Sequence, residues 1–144
     1  MKPGLVPGAR AEVEFEVQAG HLAAFEGQVV HPVLSTWNLI HFMEWAGRRV
    51  ILPFLEPHEE AVGASLRIRH IAPTAQGDRV TVAATLARLE LPKIICRVEA
   101  RNARGCIGRG TFVQILLPRS RLSALIDEAR CAVAATGPGE RAYP

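Results

Sequence analysis

Three polar residues stand where the surrounding sequence pattern calls for apolar ones: Thr36, Glu44 and His70. A hydroxyl, a carboxylate and an imidazole together supply the acid, base and nucleophile chemistry that acyl transfer and hydrolysis use. Whether these three groups can cooperate depends on the secondary-structure elements that carry them.

Thr36 and Glu44 lie on the same predicted helix. Residues 35–52 follow a helical period, with Ser35 or Thr36 as the N-cap and Pro53 as the stop. At about 100° per residue the apolar side chains of this helix occupy one broad arc. Thr36 falls in the middle of that arc and Glu44 at its edge, which sets both apart from the polar residues of the opposite face.

The helical pattern leaves two interpretations of Glu44 open. Burial at the edge of the apolar arc would disfavour the charged form of the carboxylate and make it a better base. Alternatively, Glu44 turns outward and pairs with Arg48, four residues further on, in an ordinary surface contact.

His70 is predicted to end a strand and to point toward the helix. In the segment GASLRIRH the alternation places His70 on the same face as Leu66 and Ile68, with Arg67 and Arg69 on the other face. A lone inward histidine is usually a hydrogen-bonded core residue. The two polar groups on the helix project into the same layer, which favours a catalytic site.

The spacing of Thr36 and Glu44 restricts how such a site can form. Eight residues of helix span about 12 Å, too far for a direct hydrogen bond between them within one chain. The site would be complete if Thr36 and the helix N-terminus of one subunit faced Glu44 of another. The free backbone N–H groups at that N-terminus would then stabilise an oxyanion.

The rest of the chain supplies a sheet for this helix. Alternation and turn signals predict five strands, at residues 11–17, 61–70, 79–89, 94–101 and 107–117. A second, amphipathic helix is predicted at the C-terminal side of the last strand, at residues 119–135. The segment between the first strand and the long helix is predicted to be a loop, with Gly20, Gly27 and Pro32.

These elements predict an α+β fold in which a five-stranded antiparallel sheet wraps around the long central helix, the hotdog arrangement. Residues 11–135 form the single domain, and residues 1–10 and 136–144 are expected to be tails rich in Pro and Gly. A sheet edge and a largely apolar helix in a chain of 144 residues need covering, so a homodimer or a dimer of dimers is expected.

Composition excludes several other classes of protein. No apolar run is long enough to span a membrane, and the start MKPGLVPGAR does not resemble a signal peptide, so a cytoplasmic location is expected. Three cysteines without a C-x-x-C pair suggest neither a disulfide framework nor a zinc site.

The net charge is +3, but the basic residues are spread along the chain without aromatic interleaving, so no nucleic-acid binding is expected. His41 and Glu44 have the i, i+3 spacing of some metal ligands, but no second such pair exists, and no metal is expected.

The segments VLSTWNLIHFMEWAG, AVGASLRIRHIAPT and GCIGRGT resemble the hotdog-fold thioesterases of the fluoroacetyl-coenzyme A thioesterase-like group. The resemblance covers residues 12–117. Thr36, Glu44 and His70 match the catalytic Thr, Glu and His of that group. Gly63 matches the glycine whose backbone N–H helps to bind the thioester carbonyl.

The resemblance implies hydrolysis of an acyl-coenzyme A (acyl-CoA) thioester to the free acid and coenzyme A (CoA), without a metal or redox cofactor. Glu44 would act as base or as transient nucleophile. Thr36 would hold or attack the carbonyl, and His70 would orient the carboxylate and carry protons. The division of work between Glu44 and Thr36 stays open.

Three positions depart from the pattern of the group. Trp37 stands where a proline usually follows the S-T pair, and Phe112 and Gln114 stand where the strand usually reads G-T-H-x-R. These changes weaken the expectation of a fluoroacetyl substrate and allow a bulkier or more apolar acyl group. Phe25 and Trp37 are candidates for lining its pocket.

Two other functions remain as alternatives. One is a binding module that holds an acyl-CoA or another small ligand without hydrolysing it. The other is a hotdog dehydratase, for which the sequence offers less support. The typical Asp and His pairing is not apparent, because Asp78 is predicted in a turn and Asp127 in the terminal helix.

Overall fold

The computed structural model describes residues 1–136. The strands are β1 Arg10–Glu16, β2 Leu22–Phe25, β3 Gln28–Leu34, β4 Glu59–His70, β5 Arg79–Glu90, β6 Lys93–Asn102 and β7 Gly105–Pro118, and the helices are α1 Thr36–Ile51 and α2 Arg119–Thr136. Five strands form one antiparallel sheet in the order β1-β5-β6-β7-β4. The predicted fold is confirmed: the sheet packs around the central helix, and a second helix follows the last strand.

Helix α1 begins and ends where its capping residues predict. The hydroxyl of Ser35 accepts a hydrogen bond from the backbone N–H of Asn38 at 3.0 Å, which satisfies one of the free donors of the first turn. Pro53 lies in a short 3₁₀ turn directly after the helix. The apolar side of α1 faces the concave side of the sheet, where Leu39, Met43 and Ala46 are fully buried.

The predicted loop before α1 is wrong, because residues 22–34 form a β-hairpin. Strands β2 and β3 pair antiparallel around Glu26 and Gly27, which both have positive φ angles, of 51° and 78°. Two consecutive residues with positive φ give a turn whose twist matches the flanking strands. Glu-Gly is a weaker signal for this turn than Asn-Gly or Asp-Gly, and the shifted pairing register removes a clear alternation.

The first nine residues pack against the domain, in contrast to the tail expected there. Leu5 is buried in the core. Gly8 donates a backbone hydrogen bond to Leu86, and the N–H of Leu86 donates to Ala9 in return. The predicted C-terminal tail lies outside the described residues, except for Thr136, which ends α2.

Helix α2 forms as predicted but covers little of the core. Leu122 is half-buried, whereas Leu125 and Ile126 are about two-fifths exposed, at 39% and 41%. The helix therefore runs along the surface beyond β7 and contributes little to the packing around α1.

Gly47 lets the sheet approach α1 closely. A Cβ atom at this position would lie 2.4 Å from Cδ1 of Phe112, a residue that is 2% exposed and has no room to move. A glycine in the middle of a helix is unfavourable by itself. It is explained here by the Phe112 ring, which packs directly on the helix backbone.

We expect Gly47→Ala to destabilise the protein although alanine is the better helix former. Forcing an extra methyl group into a packed core costs about 1–3 kcal/mol, against about 1 kcal/mol that alanine gains over glycine inside a helix. Urea unfolding measures the free-energy change. Gly20→Ala is the control, because a Cβ there meets no atom within 4 Å. A Gly47→Ala variant more stable than the wild type would contradict this packing.

Candidate active site

Thr36 and His70 are in direct contact within one chain. The Thr36 hydroxyl and Nδ1 of His70 are 3.0 Å apart, which joins the first residue of α1 to the last residue of β4. Both line a cleft of about 310 Å³ between β3, the start of α1 and the segment after β4. The fold therefore brings together at this cleft two residues that the sequence pattern predicts to lie in one layer.

The surroundings of His70 favour the neutral form of its imidazole. Burial lowers the pKa of the ring, and the nearby backbone of Ala72 opposes this only in part. Among residues 1–136, Nε2 of His70 is buried and has no hydrogen-bond partner. A neutral imidazole against a hydroxyl can accept the proton of that hydroxyl.

A network of hydrogen bonds fixes the start of α1 and with it Thr36. The side chain of Asn38 donates to the Ser35 hydroxyl at 2.9 Å and to the Gly20 carbonyl at 3.4 Å. The backbone N–H of Ser35 donates to the carbonyl of His21 at 2.9 Å. The helical period places Asn38 on the polar face of α1, opposite the apolar arc, but this expectation is wrong because Asn38 is 8% exposed. No periodicity signal could have found it, since a buried amide is explained only by these partners.

Glu44 lies beside Gly63, two turns along α1. One carboxylate oxygen is 2.5 Å from the point that a Cβ at Gly63 would occupy, so a side chain at this position of β4 would collide with it. The β4–β7 register shifts between Gly63 and Ser65, a local irregularity of the strand. The absence of a side chain thus leaves the backbone of Gly63 open to the carboxylate.

Neither interpretation of Glu44 from the helical pattern holds within the protomer. Arg48 does not pair with it, because its guanidinium donates to Glu60 at 2.9 Å and to the Ala61 carbonyl at 3.0 Å. Nor is Glu44 buried: it is exposed in a shallow groove with His41, Trp45 and Arg48. Within residues 1–136 the carboxylate has no ion-pair partner.

The groove of Glu44 and the cleft of Thr36 and His70 are separate surfaces of the protomer. Their linings have no residue in common. The structure therefore brings together Thr36 with His70 and Glu44 with Gly63, and it leaves the two pairs apart.

Three aromatic side chains on α1 and on the β2–β3 hairpin are exposed. Trp37 and Trp45 lie eight residues apart on α1, on the same side of the helix, and are 74% and 46% exposed. Phe25, at the turn of the β2–β3 hairpin, is 71% exposed. Neither Phe25 nor Trp37 lines the cleft of Thr36 and His70 in the protomer.

Phe112 and Gln114 form an inner wall behind Glu44 and Gly63. A Cβ at Gly63 would lie 3.3 Å from the Phe112 ring, which also covers Gly47. Gln114 is 1% exposed and donates from Nε2 to the carbonyl of Gly47 at 3.1 Å. Two of the three residues that depart from the pattern of the group are thus packing residues of the helix–sheet interface next to the site, whereas the third, Trp37, is exposed.

Two absences among residues 1–136 bear on the chemistry. No group of three or more His, Cys, Asp or Glu side chains is placed to hold a metal ion, and His41 gathers no such set with Glu44. None of the helices is both long and apolar enough to cross a membrane.

Comparison with known proteins places this geometry in a family. Residues 17–120 match the family model described as "Fluoroacetyl-CoA-specific thioesterase". The fluoroacetyl-CoA thioesterase of Streptantibioticus cattleyicolor is 33% identical over 96 residues, which cover 67% of this chain and 69% of that protein.

Solved structures agree with the sequence match. A Thermus thermophilus member of the thioesterase superfamily has a TM-score of 0.88 and 36% identity, over 92% of this chain and 98% of its own. A threonine-to-serine variant of the fluoroacetyl-CoA thioesterase in complex with acetyl-CoA has a TM-score of 0.79 and 27% identity, over 86% of this chain and 98% of its own.

The hydrogen-bonded Thr36 and His70, the carboxylate of Glu44 against Gly63, and these matches over most of the chain lead to one assignment. The chain belongs to the fluoroacetyl-CoA-specific thioesterase family, a family of hotdog-fold thioester hydrolases.

Proposed function

We propose that the protein is a cytoplasmic acyl-CoA thioesterase that hydrolyses a small acyl thioester and works as a homodimer or a dimer of dimers. The observation that carries this proposal is the hydrogen bond between Thr36 and His70 at the N-terminus of α1. It couples a hydroxyl to a neutral base at the place where free backbone donors can hold an anionic oxygen.

Each group has a role in hydrolysis. A water molecule, deprotonated by Glu44, adds to the thioester carbonyl carbon; the carbon–sulfur bond then breaks, and the thiolate of CoA takes up a proton. Alternatively, Glu44 attacks the carbonyl itself, releases CoA and forms an anhydride that water hydrolyses. Both routes give the free acid and CoA, and in both His70 carries protons through Thr36.

The oxygen of the thioester carbonyl becomes negatively charged in either route. We propose that the backbone N–H of Gly63 helps to hold it, since no side chain covers the backbone there. The free N–H groups in the first turn of α1 are a second source of donors. Preorganised donors of this kind typically contribute several kcal/mol to the stabilisation of an oxyanion.

The separation of Glu44 from Thr36 and His70 supports a site shared between two subunits. A twofold contact along α1 would bring Thr36 of each protomer toward Glu44 of the other, because the same surface is used on both sides. It would also bury Trp37 and Trp45. Strand β4, which carries Gly63 and His70, is an edge of the sheet and could pair with its own copy at the same time.

The surroundings of the site favour an apolar acyl group. Phe112 supplies an apolar wall next to Glu44 and Gly63, where the family usually has a histidine. Phe25 and Trp37 are exposed in the protomer and would line the acyl pocket only after a second subunit has closed over them. A screen of thiol release across acyl-CoA chain lengths tests this preference.

A non-catalytic binding module is the second candidate. The exposure of Glu44 in the protomer favours it, because an isolated carboxylate far from Thr36 cannot share a reaction with it. Stabilisation by an acyl-CoA without any release of thiol would support this alternative.

Removing either side chain that handles protons is expected to abolish most of the activity. We predict that kcat/KM for short acyl-CoA substrates falls at least about a hundredfold in Glu44→Ala and in His70→Ala, the usual size of an acid–base contribution. Thiol release measures the rate, and thermal unfolding checks that the fold is kept. Glu128→Ala, an exposed glutamate on α2, is the control and should leave the rate unchanged. Wild-type rates in both site variants would rule out this site.

The pH dependence of the reaction should report the buried histidine. Protonated His70 cannot accept the Thr36 proton, so the rate is lost as the pH falls through the pKa of this ring. Because burial lowers that pKa, the midpoint of the acid limb is expected below the ordinary histidine value of 6.5. A profile of kcat/KM against pH measures it, and His58→Gln on the surface should not shift it. A midpoint above 6.5 would contradict the neutral imidazole.

A further inference from the structure

The outer face of the sheet, opposite α1, carries a row of basic side chains. The strand register aligns five residues directly across the five strands on this face: Arg67 on β4, Thr111 on β7, Arg97 on β6, Thr85 on β5 and Arg10 on β1. The next row toward the end of β4 begins with Arg69 opposite Arg109, which in turn lies opposite Glu99. We call Arg10, Arg67, Arg69, Arg97 and Arg109 the arginine face.

The arginine face borders a cavity on the outer, convex side of the sheet. All five arginines border a cavity of about 650 Å³, larger than the cleft of Thr36 and His70. A volume of this size is typical of sites for small molecules. This cavity and the candidate active site lie on opposite sides of the sheet.

Most of this positive charge is not neutralised by the protein. Within residues 1–136, Arg67, Arg69, Arg97 and Arg109 form no ion pair. Two acidic residues on this face have partners of their own, because Glu12 pairs with Arg10 and Glu99 pairs with Arg101.

Folding alone gives no reason for this arrangement. Like charges directly opposite each other on neighbouring strands destabilise a sheet, and Arg69 faces Arg109 in this way. An anion bound between the two guanidiniums would offset this cost.

The chemistry of the face selects its ligand. A guanidinium binds phosphate through two parallel hydrogen bonds, and several guanidiniums in one cavity match an anion with more than one phosphate. Among the described lining residues there is no aromatic ring on which a base could stack, so the phosphates and not a base would supply the contacts. A second copy of the chain would bring the same positive surface against itself.

We propose that the arginine face binds a small molecule that carries two or more phosphate groups, such as a nucleoside polyphosphate or the nucleotide end of CoA. The site is distinct from Thr36, Glu44 and His70, so it either regulates the enzyme or holds a remote part of its substrate. Both sources share the chemistry of linked phosphates.

Calorimetric titration of the full chain with pyrophosphate, ATP and CoA tests the proposal. We expect each polyphosphate that binds to the wild type to bind at least about tenfold more weakly to the double variant Arg69→Gln/Arg109→Gln. The reason is that each charge-assisted hydrogen bond contributes more than a neutral one. Arg88→Gln, an exposed arginine outside the cavity that pairs with Glu90, is the control and should bind like the wild type. Affinity should also fall with rising salt.

The pattern of binding distinguishes the two sources. If ATP and pyrophosphate bind and CoA does not compete with them, the ligand of the site is a free nucleotide. If CoA competes with them and the double variant has a raised KM for acyl-CoA, the ligand is the nucleotide end of the substrate. Absence of polyphosphate binding, binding undiminished in the double variant, or binding of duplex DNA alone would overturn the proposal. The titrations measure binding to the full chain without any turnover, so their outcome is independent of the proposed thioesterase mechanism.

Discussion

The close packing of α1 on the concave face of the sheet is the constraint on which the rest of the structure depends. Phe112 can rest on the backbone of α1 only because residue 47 is glycine, and Gln114 adds a hydrogen bond to the same turn. These contacts therefore fix both the rotation of the helix about its axis and its distance from the sheet. This arrangement also sets the partners of its polar residues, because the start of α1 lies at the end of β4 and its third turn lies beside Gly63 on the same strand.

The same constraint divides the candidate site. A rigid helix holds Thr36 and Glu44 about 12 Å apart along its axis, and tight packing prevents it from bending to bring them together. The protomer is well packed, but Thr36 and Glu44 lie on separate surfaces. A chemistry that needs both groups at one carbonyl then needs a second protomer, and the exposed tryptophans of α1 are the apolar surface that such a contact would cover.

The catalytic candidates could be predicted from the sequence because each one interrupts an apolar pattern. Thr36 and Glu44 stand out on the helical arc, and His70 stands out on the inner face of its strand, and these patterns depend only on local periodicity. The same reasoning found all five strands of the main sheet. Local periodicity failed for the β2–β3 hairpin, because its turn at Glu26 and Gly27 and its irregular register leave little alternation.

Other features depend on which elements become neighbours. Asn38 is polar and yet buried, because the Gly20 carbonyl and the Ser35 hydroxyl meet it at the start of α1. Arg67 and Arg109 look like ordinary surface charges in the sequence. They become a shared positive surface only once the register of β4 and β7 is known.

The central claim is that one active site takes Thr36 from one subunit and Glu44 from the other. Co-expression of Thr36→Ala and Glu44→Ala chains tests it most directly, since each variant alone lacks one group in every site. A shared site predicts that the mixed dimers contain one intact site, so the mixture recovers about a quarter of the wild-type activity for equal, random pairing of two subunits. Activity of the mixture no higher than that of either variant alone would contradict the shared site.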